Sequence, residues 1–104
     1  MCEIVHVRGK RLEAGLYRCD LPVPIIELFV DMIKHYAKAF GATYADMKKL
    51  VLYHEEGHHL QWTNVGSTSE ADANTYALRK FIRTEGRTPS IPIQEWMRTS
   101  MKGV

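Results

Sequence analysis

The sequence predicts a single α+β domain, a small antiparallel β-ribbon beside a helical body. Three observations carry that expectation. A chain of 104 residues suits one domain and has no room for a second. Two short runs, residues 3–8 (Glu-Ile-Val-His-Val-Arg) and Gly15-Leu16-Tyr17-Arg18-Cys19, have strand character and are separated by the turn material Gly9-Lys10-Arg11. From Pro24 onward the apolar residues recur at intervals of three and four, the period of a helix packed on one face.

In chain order, the two runs read as a β-hairpin, ended by the stiff Leu21-Pro22-Val23-Pro24. A first helix is expected over 24–40. Ile26, Phe29, Ile33, Ala37 and Phe40 form its apolar side, Pro24 its first turn and Gly41 its stop. Asp31 and His35 are one turn apart on the polar side, the spacing of a surface contact. Thr43 is placed to cap a second helix, with Asp46 three residues on. Along it Met47, Val51, His54 and His58 form one stripe, and Leu50, Tyr53, Gly57 and Leu60 an adjoining one that can face the core. Gly57 is expected to admit a neighbouring backbone closely.

Thr63-Asn64-Val65-Gly66-Ser67 reads as a turn, and a third helix starts near Ser67 or Ser69 and ends at Glu85-Gly86. Glu70, Asn74, Ala77 and Phe81 share a stripe, and small residues at 71, 73 and 77 allow close packing. From Pro89 a short amphipathic helix holds Ile93, Trp96, Met97 and Met101. Residues 89–104 are read as a docking segment that completes the core. A regulatory cover over the cleft and a self-association surface are the other readings.

The totals exclude several classes. At 45% hydrophobic and 25% charged residues the composition is that of a folded domain. A net charge of +2 is too small to suggest nucleic acid, and Arg79, Lys80, Arg83 and Arg87 read as a solvated helix face. No apolar run has signal or membrane-spanning length, so a soluble cytoplasmic protein is expected. Cys2 and Cys19 would then be reduced thiols. They lack C-x-x-C spacing, although a hairpin could bring them face to face.

The chemistry concentrates in His54-Glu55-Glu56-Gly57-His58, an H-E-x-x-H pattern on the second helix. Residues four apart stand one turn above each other, so His54 and His58 can bind one metal ion while Glu55 projects from the next position round. A catalytic zinc needs a third protein ligand. His59 points about 100° away from His58. Glu70 is the preferred candidate because it shares a stripe with Asn74, whose amide oxygen could accept the spare ring N–H of a ligand histidine. Asp72 is the runner-up. The chemistry expected of one zinc ion here is peptide hydrolysis. Zinc held there would acidify a water and polarise the scissile carbonyl, and Glu55 would take the water's proton and pass it to the leaving amine. Tyr53, Tyr76, His59 and His35 are all candidates for a further donor to the developing oxyanion.

HEEGH followed by Glu70-Ala71-Asp72-Ala73-Asn74-Thr75-Tyr76-Ala77 resembles the gluzincin zinc metallopeptidases, and most of all the ImmA/IrrE-type branch, whose pattern runs H-E-x-x-H, then E-x-E-A-N-x-F-A. The resemblance covers about residues 43–85. It implies a zincin-like catalytic core of motif helix plus glutamate helix, zinc on His54, His58 and Glu70, Glu55 as general base, Asn74 in support, and a peptide or protein substrate. In length the chain is similar to the minigluzincins and selecase-like peptidases, which implies latency or self-association. Glu70 follows His58 by only 12 residues, so their connection must be tight. The rival class is a catalytically silent zinc-binding regulatory module. The intact Glu55 favours hydrolysis, because a purely structural zinc needs no base.

Overall fold

The computed structural model describes residues 2–9, 11, 13–66 and 69–99. The expectations placed on Lys10, Ser67 and Met101 lie outside them. The chain folds as α+β, with strands β1 (Glu3–Val7), β2 (Gly15–Arg18) and β3 (Ile25–Phe29) followed by helices α1 (Val30–Ala39), α2 (Tyr44–Val65), α3 (Glu70–Glu85) and α4 (Ile91–Thr99). None of the helices described is long and apolar enough to cross a membrane.

The sheet corrects the expected hairpin. Its order is β1-β3-β2, so the two expected strands exist but do not pair with each other. Each flanks β3, β1 in parallel (Glu3 opposite Ile25, Val7 opposite Phe29) and β2 antiparallel (Gly15 opposite Leu28, Arg18 opposite Ile25). Cys2 and Cys19 are both free, with β3 running between their strands.

The central strand comes from the segment assigned to the start of the first helix. Ile26 and Phe29 fit a helical period, but Ile25-Ile26-Glu27-Leu28-Phe29 is also a short apolar run that either structure can use. Partners on both sides decide for the strand. Pro24 serves as its leading residue, its carbonyl accepting from Glu3 N–H at 3.0 Å. α1 then begins at Val30 and is closed after Phe40, where Gly41 adopts φ +67°.

α2 is capped as expected, with Thr43 Oγ1 accepting from Asp46 N–H. It is longer than the turn residues suggested and runs to Val65, where Gly66 closes it in the left-handed region. Within this last stretch the Thr63 hydroxyl donates back to the His59 carbonyl at 3.0 Å. Leu60, expected on the core-facing stripe, is instead exposed. α3 starts behind Ser69, whose Oγ accepts from Asp72 N–H, and ends at Gly86.

The body forms by close approach of α2 and α3. A Cβ at position 57 would lie 3.1 Å from Ala73 Cα, so Gly57 lets the second backbone in. Ala73 and Ala77 are buried on this seam, whereas Ala71 faces outward. Trp96, 1% exposed, anchors α4 with its ring centroid 5.2 Å from Tyr36 and 6.1 Å from Phe40, so Trp96 and Met97 belong to the core.

Candidate metal centre

α2 delivers His54 and His58 on one face, one turn apart, with Nε2 atoms 3.1 Å from each other. Glu70, the first residue of α3, reaches them from the side. Its Oε2 lies 3.1 Å from His54 Nε2 and its Oε1 2.8 Å from His58 Nε2. His54, Glu55 and His58 also present ligand-type atoms within 4.8 Å of one another, so this group could hold a metal ion. Of the two carboxylates, Glu70 is the one in direct contact with both inward nitrogens.

The donor set suits a metal. Two bonds of zinc length at a tetrahedral angle separate their donor atoms by about 3.3 Å. The three contacts between the imidazoles and Glu70 fall a few tenths of an ångström short of that, so a slight opening brings them onto one ion.

Each imidazole is oriented through its other nitrogen. Asn74 Oδ1 lies 2.7 Å from His54 Nδ1, as the shared stripe with Glu70 suggested. Gln61 Oε1 lies 3.4 Å from His58 Nδ1. Amide oxygens accept, so both histidines hold their proton on Nδ1 and turn the lone pair of Nε2 toward the cluster. Burial first, and the neighbouring His58 second, lower the His54 pKa to about 4, with the Asn74 contact opposing them. The ring is therefore neutral, as a metal ligand must be.

Glu55 has a different environment. It is 1% exposed, and neither carboxylate oxygen has a hydrogen-bond partner among the described residues. Burial, then the charges of Glu70 and Glu13, push its pKa up to about 8. An unpartnered buried carboxyl is costly and calls for a polar or cationic neighbour. The start of β2 lies over it, and a Cβ at Gly15 would meet Val51 Cγ1 at 2.7 Å and Glu55 Oε2 at 3.2 Å. Gly15 thus allows the strand to reach the carboxyl.

The remaining candidates are elsewhere. Asp72, the runner-up ligand, is exposed and lines a separate depression with Arg79 and Lys80. His59 is half-buried with Nδ1 2.7 Å from Tyr17 Oη, one turn beyond Glu55 and beside β2. His35 is exposed and packs edge-on to Tyr36, and the expected partner Asp31 instead accepts from Gly9 N–H at 2.8 Å. Lys80 sits over the rings of Tyr53 and Tyr76, at 4.7 and 5.9 Å. A cavity of about 620 Å³ opens beside Glu70 and Asn74, between α3 and α4, with Leu78, Gln94 and Met97 in its walls.

Three residues of this neighbourhood escaped the sequence reading: Gly15, Tyr17 and Gln61. Gln61 carried one signal, its position three residues after His58 on the same helix. Gly15 and Tyr17 stand two apart on a strand, so both face α2, but nothing local says which helix that face will meet. No family model, curated protein or solved structure matches the chain.

Proposed function

We propose that the chain is a zinc-dependent metallopeptidase with His54, His58 and Glu70 as ligands and Glu55 as general base. The observation that carries this reading is the division of labour among the four groups. Three donors converge within 3.1 Å of each other through nitrogens and oxygens of metal-binding type. The fourth, Glu55, sits beside them unpartnered. Zinc so held would supply a Lewis acid that polarises a peptide carbonyl and acidifies water.

The residues supply the rest. Glu55 accepts the proton of the attacking water on a carboxylate oxygen and returns it to the leaving amine, so that one group serves as base and then as acid. Asn74 and Gln61 hold the imidazoles in the ligating tautomer. β1 and β2 are both edge strands, and β2 is favoured to receive an extended substrate because its start lies against Glu55. Its outer edge can pair with a peptide backbone by main-chain hydrogen bonds.

The burial of Glu55 favours a second reading, a zinc-binding module of the same architecture whose site stays closed to substrate. Zinc-loaded wild type and Glu55→Gln, each checked for one bound zinc, separate the two when incubated with an unfolded protein substrate. The peptidase reading expects cleavage by wild type and a loss of at least about a hundredfold in the variant. Identical behaviour of the two zinc-loaded proteins would establish the closed module instead.

A further inference from the structure

Asn74 links a candidate ligand to the last helix. Its Oδ1 faces His54 Nδ1 at 2.7 Å, and its Nδ2 donates to the Met97 backbone carbonyl at 2.8 Å. A carbonyl can only accept, so the amide must turn its NH2 toward Met97 and its oxygen toward the imidazole. That oxygen can also only accept, so the His54 proton is held on Nδ1 and the lone pair on Nε2. With the amide reversed, two oxygens would face each other across the 2.8 Å contact, and an Nε2–H would point at His58 and Glu70.

The Met97 carbonyl is placed by the docking of α4 rather than by the metal cluster. Ile93, Trp96 and Met97 are buried, and Trp96 is seated against Tyr36 of α1 and Phe40 just beyond its end. At its start, Gln94 Nε2 ties α4 to the Pro89 carbonyl at 2.8 Å. The helix thus brings a fixed acceptor to the side chain that faces His54 Nδ1.

We infer that α4 is a positioning element for the metal site: its docking, acting through the Met97 carbonyl and Asn74, holds His54 in the ligating tautomer and couples metal affinity to the closure of α4. This inference rests on the metal reading above. Coupling between two equilibria is reciprocal, so whatever factor α4 adds to metal affinity, bound metal must return as protection of α4. Partners that orient a metal ligand contribute roughly 10–100-fold in affinity, which sets the expected size.

Hydrogen exchange read by mass spectrometry on the full chain tests it, comparing metal-free with zinc-saturated protein for wild type and Asn74→Ala. In wild type, zinc should slow exchange across residues 91–97 by about tenfold or more. In Asn74→Ala, zinc affinity measured against a competing chelator should fall about 10–100-fold. At saturating zinc that variant should protect α2 and the start of α3 but leave 91–97 unchanged. Ile93→Ala loosens α4 without touching the cluster and provides a second route should Asn74→Ala fold poorly. It should lower zinc affinity, and combining it with Asn74→Ala should cost little more than Asn74→Ala alone.

Zinc-dependent protection of α2 without any change in α4 of wild type would overturn the coupling. So would equal protection of α4 in wild type and Asn74→Ala, or zinc affinity in Ile93→Ala equal to that of wild type. No zinc uptake by wild type would instead remove the metal reading, and the coupling with it.

Discussion

Gln61 holds both polar groups of the Ser69 backbone, its Oε1 accepting from Ser69 N–H at 2.9 Å and its Nε2 donating to Ser69 C=O at 3.1 Å. Ser69 is the N-cap of α3 and stands directly before Glu70. A side chain on the helix of the histidines therefore fixes the first turn of the helix that brings the carboxylate. This accounts for how the short connection from His58 to Glu70 can be tight and yet aim correctly.

Removing that brace should loosen Glu70 without unfolding the protein. Gln61→Ala is expected to keep its helical circular dichroism while losing roughly tenfold in zinc affinity, measured by competition with a chromophoric chelator. Affinity equal to that of wild type would show that α3 holds its register without Gln61.

The two acidic candidates on α3 should separate cleanly in metal analysis. Glu70→Ala is expected to lose stoichiometric zinc, because it removes the group touching both Nε2 atoms. Asp72→Ala should retain zinc and lose only about 1 kcal/mol or less of stability, since its side chain is exposed and faces away from the cluster. Stoichiometric zinc in purified Glu70→Ala would sink the ligand assignment.

The metal-free protein should become less stable as pH rises from 6.5 to 8. Glu55 is raised from 4.5 to about 8, so folding favours its neutral form and that contribution fades as pH climbs toward 8. His54 is lowered from 6.5 to about 4, so its contribution is complete above 6.5 and fades on acidification. Between 4.5 and 6.5 the two slopes oppose each other, leaving Glu55 alone above 6.5. At about 1.4 kcal/mol per pH unit, the loss over that upper window is about 2 kcal/mol. Urea titrations of the apoprotein should show it, and Glu55→Gln should abolish it. A flat or rising wild-type profile would contradict the burial cost assigned to Glu55.

Gly57→Ala tests the seam between α2 and α3. Helix propensity alone predicts a gain of about 1 kcal/mol. The added methyl, however, would stand 3.1 Å from Ala73 Cα and 3.3 Å from Tyr76 Cδ1, so a backbone must retreat. Overpacking of this kind costs about 1–3 kcal/mol, and a net loss of stability is expected, with weaker zinc binding as α3 carries Glu70 outward. A stabilised variant with unchanged zinc affinity would show that the seam has room.

What the sequence determined by itself is what short-range geometry fixes. The i, i+4 pairing of His54 with His58, the Thr43 cap, the stops at Gly41 and Gly86, and the alignment of Asn74 with Glu70 all follow from helical spacing and backbone preference. These hold wherever the helices go. The tertiary structure decided what depends on partners distant in the chain. Ile25–Phe29 became a strand because β1 and β2 offered unpaired edges on either side, a choice its own residues leave open. Gly15 reached Glu55, Tyr17 reached His59 and the Met97 carbonyl reached Asn74 for the same reason. A backbone carbonyl has no sequence signature, and a strand's pattern says which face is buried without naming what will cover it. The histidine pair is therefore written in five consecutive residues, while the shell that orients it exists only once the helices and the sheet have packed.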